Sequence, residues 1–121
     1  MIASYFSRLA AMVRPGRAAP LAVAADAEGL RIGGERVAWG DVRRLHATRR
    51  DTYVGDVLTL AILVADDRVI EISEESPGWK GAAAAIERFL PGSLPAAEWT
   101  LRLMAGQAGE SVAIYPVTGS A

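Results

Sequence analysis

Alternating apolar and polar residues between positions 21 and 73 constrain the fold of this chain more than any other feature. Successive side chains of a β-strand point to opposite faces, so alternation with a period of two indicates a strand with one buried face. The pattern recurs in five of six short segments, the exception being apolar throughout, and turn-forming residues such as Gly33-Gly34 separate the six. It predicts an antiparallel meander. The predicted strands cover about residues 21–25, 30–32, 37–39, 43–50, 57–64 and 69–73.

The fifth of these segments, residues 57–64, is apolar on both faces. This composition is typical of a central strand or of a strand covered by a helix. The longest apolar run, residues 57–65, is far shorter than the roughly 20 residues that a membrane-spanning helix requires. The sequence therefore predicts a buried strand here and no membrane span.

Two helices and a last strand are predicted after the meander. Ser76-Pro77 resembles a capped helix start, and Pro91-Gly92 stops the helix. Residues 95–104 fit either a second helix or a strand, and we favour the helix; residues 111–117 then form the last strand. The first helix has one apolar stripe, comprising Trp79, Ala82, Ala83, Ile86, Phe89 and Leu90.

The first 14 residues are predicted to form an amphipathic helix that ends before Pro15-Gly16. Three arginines flank its stripe, so the helix either packs on its own domain or a sister subunit, or lies in a membrane interface. Because Arg8 interrupts the segment, it does not match a secretory signal. We expect a cytoplasmic protein, with the inner membrane surface as the alternative location. The stripe comprises Ile2, Tyr5, Phe6, Leu9, Met12 and Val13.

Composition limits the chemistry that is available to the chain. Its 121 residues, of which 51% are apolar, suit a single domain with an N-terminal helix (1–14), a sheet with its capping helix (21–92) and an extension (93–121). Cysteine is absent, which excludes disulfides and a Cys nucleophile. His46 is the only histidine and no nucleophile motif accompanies it. We therefore expect no catalytic centre, no metal site and no cofactor.

A candidate anion site is predicted on the hairpin around Gly33-Gly34. A two-residue turn there places Arg31 opposite Arg36, and two like charges across a solvent face favour an anion, unless a neighbouring carboxylate neutralises them. Arg43 and Arg44 on the following strand complete the candidate site. Nucleic-acid binding is not expected, because that strand lacks stacking aromatics and the net charge is -1.

The motif Val37-Ala38-Trp39-Gly40-Asp41-Val42, followed by a basic strand, an apolar strand and a hairpin, resembles part of the bacterial pleckstrin-homology-like domains. Gly78-Trp79 opens a helix that ends at Leu90-Pro91-Gly92, which extends the resemblance over about residues 21–92. The resemblance implies a bent antiparallel sheet or partial barrel capped by a helix. The six strands before the helix are one fewer than that fold has, and the first hairpin loop holds Asp26 and Glu28 where phosphoinositide-binding members have basic residues.

These observations together predict an α+β domain that binds rather than catalyses, since such scaffolds host many functions. The leading hypothesis is a non-catalytic interaction module that binds a protein partner or forms a homo-oligomer through a sheet edge or the first segment. The alternative is a peripheral membrane module that binds anionic lipid headgroups through arginines and the N-terminal helix. A small hydrolase or other enzyme is the third hypothesis.

Overall fold

A computed structural model describes residues 21–53 and 55–116. This part of the chain has seven strands and two helices, and the predicted α+β class is confirmed. The predicted N-terminal helix over residues 1–14 lies outside the described residues. A short 3-10 turn (Trp39–Asp41) joins the third and fourth strands. The elements are β1 (Val23–Ala25), β2 (Gly29–Ile32), β3 (Glu35–Ala38), β4 (Val42–Thr52), β5 (Gly55–Val64), β6 (Val69–Ser73), α1 (Trp79–Phe89), α2 (Ala96–Ala105) and β7 (Ser111–Tyr115).

The strands form two antiparallel sheets that do not close into a barrel. One sheet has the order β1-β2-β3 and the other the order β6-β5-β4-β7. β7 follows both helices in the chain yet pairs with β4, so the C-terminal segment completes the second sheet. β5 lies between β4 and β6, which confirms the central position predicted for it.

The hairpin predicted around Gly33-Gly34 is confirmed in its register. Both glycines have positive φ angles, 57° and 92°, as a two-residue hairpin turn requires. Arg31 pairs with Arg36 across it. The predicted strands 43–50 and 57–64 are too short, because β4 and β5 continue to pair as far as Thr52 and Gly55. Continued pairing satisfies backbone groups that a loop would leave to water.

Both predicted helices are present, but the predicted start of the first one is wrong. α1 begins at Trp79, and the residue before it, Gly78, has a φ of 91°. The Ser76 hydroxyl instead accepts a hydrogen bond from the backbone N–H of Ser73, at 3.1 Å. The turn before α1 is tied to β1, since the amide of Val23 donates to the carbonyl of Pro77 at 2.8 Å.

Both sheets and both helices contribute to one hydrophobic core. Trp39 is buried there, and its indole N–H donates to the carbonyl oxygen of Asp26 at 2.9 Å. Ile86 on α1 is buried, whereas Trp79 and Phe89 are only half-buried. All three belong to the apolar stripe predicted for this helix, but only Ile86 is fully buried. The most deeply buried side chains are Leu30, Leu45, Leu60, Ile62, Ile86 and Ile114.

Candidate functional site

The four arginines of the predicted anion site are divided between the two sheets. Arg31 and Arg36 face each other in the three-stranded sheet. Arg43 and Arg44 begin β4 in the four-stranded sheet, where a register irregularity follows Val42. The structure thus brings the first pair together and places the second pair on another surface element.

Arg36 is already matched by carboxylates of the chain. Its guanidinium lies 2.5 Å from Glu28 and 3.7 Å from Asp26, both in the turn between β1 and β2. The backbone N–H groups of Glu28 and Gly29 donate to Asp26, and together with the charges of Arg36 and Arg31 they hold the pKa of Asp26 below its usual range. The charge of Arg36 is therefore neutralised by neighbouring carboxylates, which is the alternative to an anion site at this position.

Two shallow depressions adjoin these arginines. One, of about 40 Å³, lies beside Arg31 and Arg36. The other, of about 170 Å³, lies between the sheets and contains Arg68, which contacts Glu35 and Asp66. Both are smaller than the roughly 300 Å³ at which small-molecule pockets usually begin. Recognition by an open surface fits this shape better than a buried ligand does.

Three titratable groups with a shifted pKa, His46, Asp51 and Asp56, lie on the four-stranded sheet. Burial lowers the pKa of His46, and the charge of Arg44 lowers it further, so the imidazole is mainly neutral at pH 7. At the hairpin between β4 and β5, a hydrogen bond with Asp56 raises the pKa of Asp51. Among residues 21–53 and 55–116, no three His, Asp or Glu side chains are grouped as a metal site would require.

Helix α2 carries apolar side chains on two faces. Trp99 and Leu103 are buried in the core, whereas Leu101 is 70% exposed and Met104 is 54% exposed. A helix turns about 100° per residue, so position 101 points away from positions 99 and 103. We call the outer surface the α2 patch; it consists of Ala97, Leu101, Met104 and Ala105, all exposed.

Sequence reasoning did not single out the α2 patch, although a signal was present. In the strand alternative for residues 95–104, residues 99, 101 and 103 alternate and all three share one face. Once the segment is a helix, this spacing places Leu101 opposite the other two. Helix α2 has more apolar residues than one helical face accommodates, and this excess is the signal that points to the patch.

Both ends of α2 are held by side chains from other elements. At its C-terminal end, Arg49 of β4 donates to the carbonyl oxygen of Gly106 at 2.6 Å. At its N-terminal end, the backbone N–H of Ala96 donates to the Glu87 carboxylate of α1 at 2.9 Å. Glu98 and Arg102 pair along the helix, 2.7 Å apart. The α2 patch is therefore presented on an anchored helix.

Comparison of the chain with protein-family models, curated proteins and solved structures finds no match. Neither of the helices in the described part of the chain has the length and apolar content needed to cross a bilayer.

Proposed function

We propose that this domain is a non-catalytic protein-interaction module that binds its partner through the α2 patch. The observation that carries the proposal is the exposure of Leu101 and Met104 on a helix whose opposite face is buried. Single exposed apolar residues are ordinary, but two large ones at i and i+3 form a contiguous surface. Burying that surface against a partner is favourable, because it removes apolar area from water.

The partner that fits the patch is an amphipathic helix. Leu101 and Met104 form a ridge, and the small side chains of Ala97 and Ala105 beside it let a second helix approach closely. The unbranched Met104 side chain adapts to different apolar surfaces. Because Glu98 and Arg102 already pair with each other, the rim has no net charge and the apolar contact dominates.

The test compares Leu101→Glu with the matched control Ala84→Glu on the exposed face of α1. Immobilised full chain is used to capture proteins from the native cell extract, and a captured protein is then purified and titrated by calorimetry. We expect Leu101→Glu to raise the Kd of the complex with the captured protein at least about tenfold, roughly 1.4 kcal/mol. Ala84→Glu should leave that Kd unchanged. Equal affinity for both variants would overturn the proposal.

Light scattering on the same variants shows whether the partner is a second copy of this chain. In that case the unsubstituted chain is a dimer or larger and Leu101→Glu is a monomer. A chain that captures nothing and remains monomeric at high concentration would also contradict an interaction role.

A second candidate function is binding of anionic lipid headgroups through Arg43 and Arg44. Both side chains are exposed, and within the described residues neither forms an ion pair. Co-sedimentation with phosphatidylserine vesicles tests it, with Arg43→Gln/Arg44→Gln as the variant and Arg31→Gln/Arg36→Gln as the control. Vesicle binding that disappears only in the first variant would favour this function; absence of binding in the unsubstituted chain would exclude it.

A further inference from the structure

The four-stranded sheet has buried residues on the face that points away from the core. Leu60 and Ile62 of β5 are part of the core, together with the buried residues of both helices. Thr59 and Ala61 alternate with them and therefore point to the opposite face. They are nevertheless only 4% and 7% exposed, and Ala61 is not part of the core cluster. These two positions are thus shielded from water without contributing to the core.

The uncharged residues of this face come from β5, from its neighbour β6, and from β7, which lies beyond β4. Leu63 of β5 pairs with Val69 of β6, and both are half-buried without packing on the core. His46 of β4 lies between Ala61 and Ala113 of β7. We call this surface the outer sheet face; Arg44, Arg50 and Glu71 also lie on it, and its uncharged part comprises Val57, Thr59, Ala61, Leu63, Val69 and Ala113.

We propose that residues 1–14 of the same chain dock on the outer sheet face as an amphipathic helix, with Leu9 near Ala61. Leu9 lies at the middle of the apolar stripe predicted for that segment. A 14-residue helix is about 21 Å long. β5 is about 33 Å long at its ten residues, and four strands span about 14 Å. The helix therefore fits on the face, and the small side chains at the centre leave room for it.

The position at which the described chain begins agrees with this docking. The carbonyl oxygen of Ala22 accepts a hydrogen bond from the amide of Gly33 at 3.0 Å, which places the chain beside the turn between β2 and β3. Glu35, at the end of that turn, contacts Arg68 in the turn between β5 and β6. Leu63 and Val69 flank the latter turn. Residues 15–20 reach up to about 20 Å, enough to lead from there onto the sheet.

Crosslinking tests the proposal directly, because the natural chain has no cysteine. Full-length chain with Leu9→Cys and Ala61→Cys is treated at low concentration with a short bismaleimide reagent. The control pair is Ser7→Cys with Ala61→Cys, since Ser7 lies on the opposite side of the predicted helix. We expect an intramolecular crosslink that forms at least about tenfold faster in the first pair. Equal rates in the two pairs, or a crosslink found only between two chains, would overturn the proposal.

Thiol reactivity provides a second, independent measurement. With Ala61→Cys as the only cysteine, we expect modification at least tenfold slower than with Ala84→Cys on the exposed face of α1. Adding Phe6→Asp/Leu9→Asp should remove this protection, whereas Ser4→Asp/Ser7→Asp should preserve it. Rapid modification of Ala61→Cys in the otherwise unsubstituted chain, or protection that survives Phe6→Asp/Leu9→Asp, would contradict the docking. A reactive Ala47→Cys, at a position in the core, would reveal that an Asp variant is unfolded. In that case the crosslinking pairs decide whether the docking is correct.

Discussion

Arg49 of β4 and Leu103 of α2 are joined by a hydrogen bond of 3.0 Å from the guanidinium Nε to the backbone carbonyl oxygen. The same guanidinium donates to the carbonyl of Gly106 and forms an ion pair with Asp56 at 2.9 Å. The last carbonyls of a helix have no intrahelical partner, and a cation there also complements the helix dipole. With its side chain only 15% exposed, Arg49 therefore connects the four-stranded sheet to the helix that carries the α2 patch.

Replacing Arg49 should destabilise the fold. We expect Arg49→Met to lower the free energy of unfolding by about 2 kcal/mol, because it leaves helix carbonyls without their charged donor. Urea titration measures this loss. Arg50→Met is the matched control, since Arg50 is exposed and its ion pair with Glu71, at 3.5 Å, should contribute less than about 1 kcal/mol. Similar losses in the two variants would contradict the anchoring role of Arg49.

The two glycines near the start of α1 should respond oppositely to alanine. A Cβ on Gly78 would lie 1.8 Å from the backbone oxygen of Val23, and its φ of 91° disfavours any side chain. Gly78→Ala should therefore lower the melting temperature. Gly81 lies within the helix, and a Cβ there meets no atom within 4 Å. Gly81→Ala should raise the stability by about 0.5 to 1 kcal/mol. Calorimetric melting that shifts both variants in the same direction would be inconsistent with this geometry.

Burial predicts the relative cost of two truncations on α1. Ile86 is 1% exposed, so Ile86→Ala should cost about 3 kcal/mol through the cavity that it leaves. Phe89 is half-buried, with its ring 6.2 Å from that of Trp39, and Arg88 lies over the Phe89 ring. Phe89→Ala should therefore cost about 2 kcal/mol, below the range for a fully buried Phe. A larger loss for Phe89→Ala than for Ile86→Ala in urea titration would show that this order of burial is wrong.

His46 should make stability depend on pH between about 7.5 and 5.5. Burial and Arg44 lower the pKa of the folded-state imidazole below 6.5, so the unfolded chain binds a proton first as pH falls. The contribution of His46 is fully present above pH 6.5. It is lost as pH falls towards the folded-state pKa, and the loss levels off below that value. Urea titrations at pH 7.5, 6.5 and 5.5 should show this decline, and His46→Gln should flatten it. An equal decline in the variant would assign it to other groups.

The local pattern of the sequence was sufficient to predict most of the elements. Alternation located five strands of the meander, the apolar run over residues 57–64 located the sixth, and Gly33-Gly34 set the register that places Arg31 opposite Arg36. These features depend on nearest neighbours along the chain and on turn geometry. Residues that are close in sequence determine both.

Tertiary contacts decided the features that sequence reasoning missed. Arg49 turns inward because the end of a helix 54 residues away offers carbonyl acceptors. The start of α1 moved from Pro77 to Trp79, since the preceding turn packs against β1. Pairing of β7 with β4, and the exposure of Leu101 beside a buried Trp99, likewise follow from how distant elements meet. Periodicity predicts which residues share a face, but only packing determines whether that face meets the core, another segment or water.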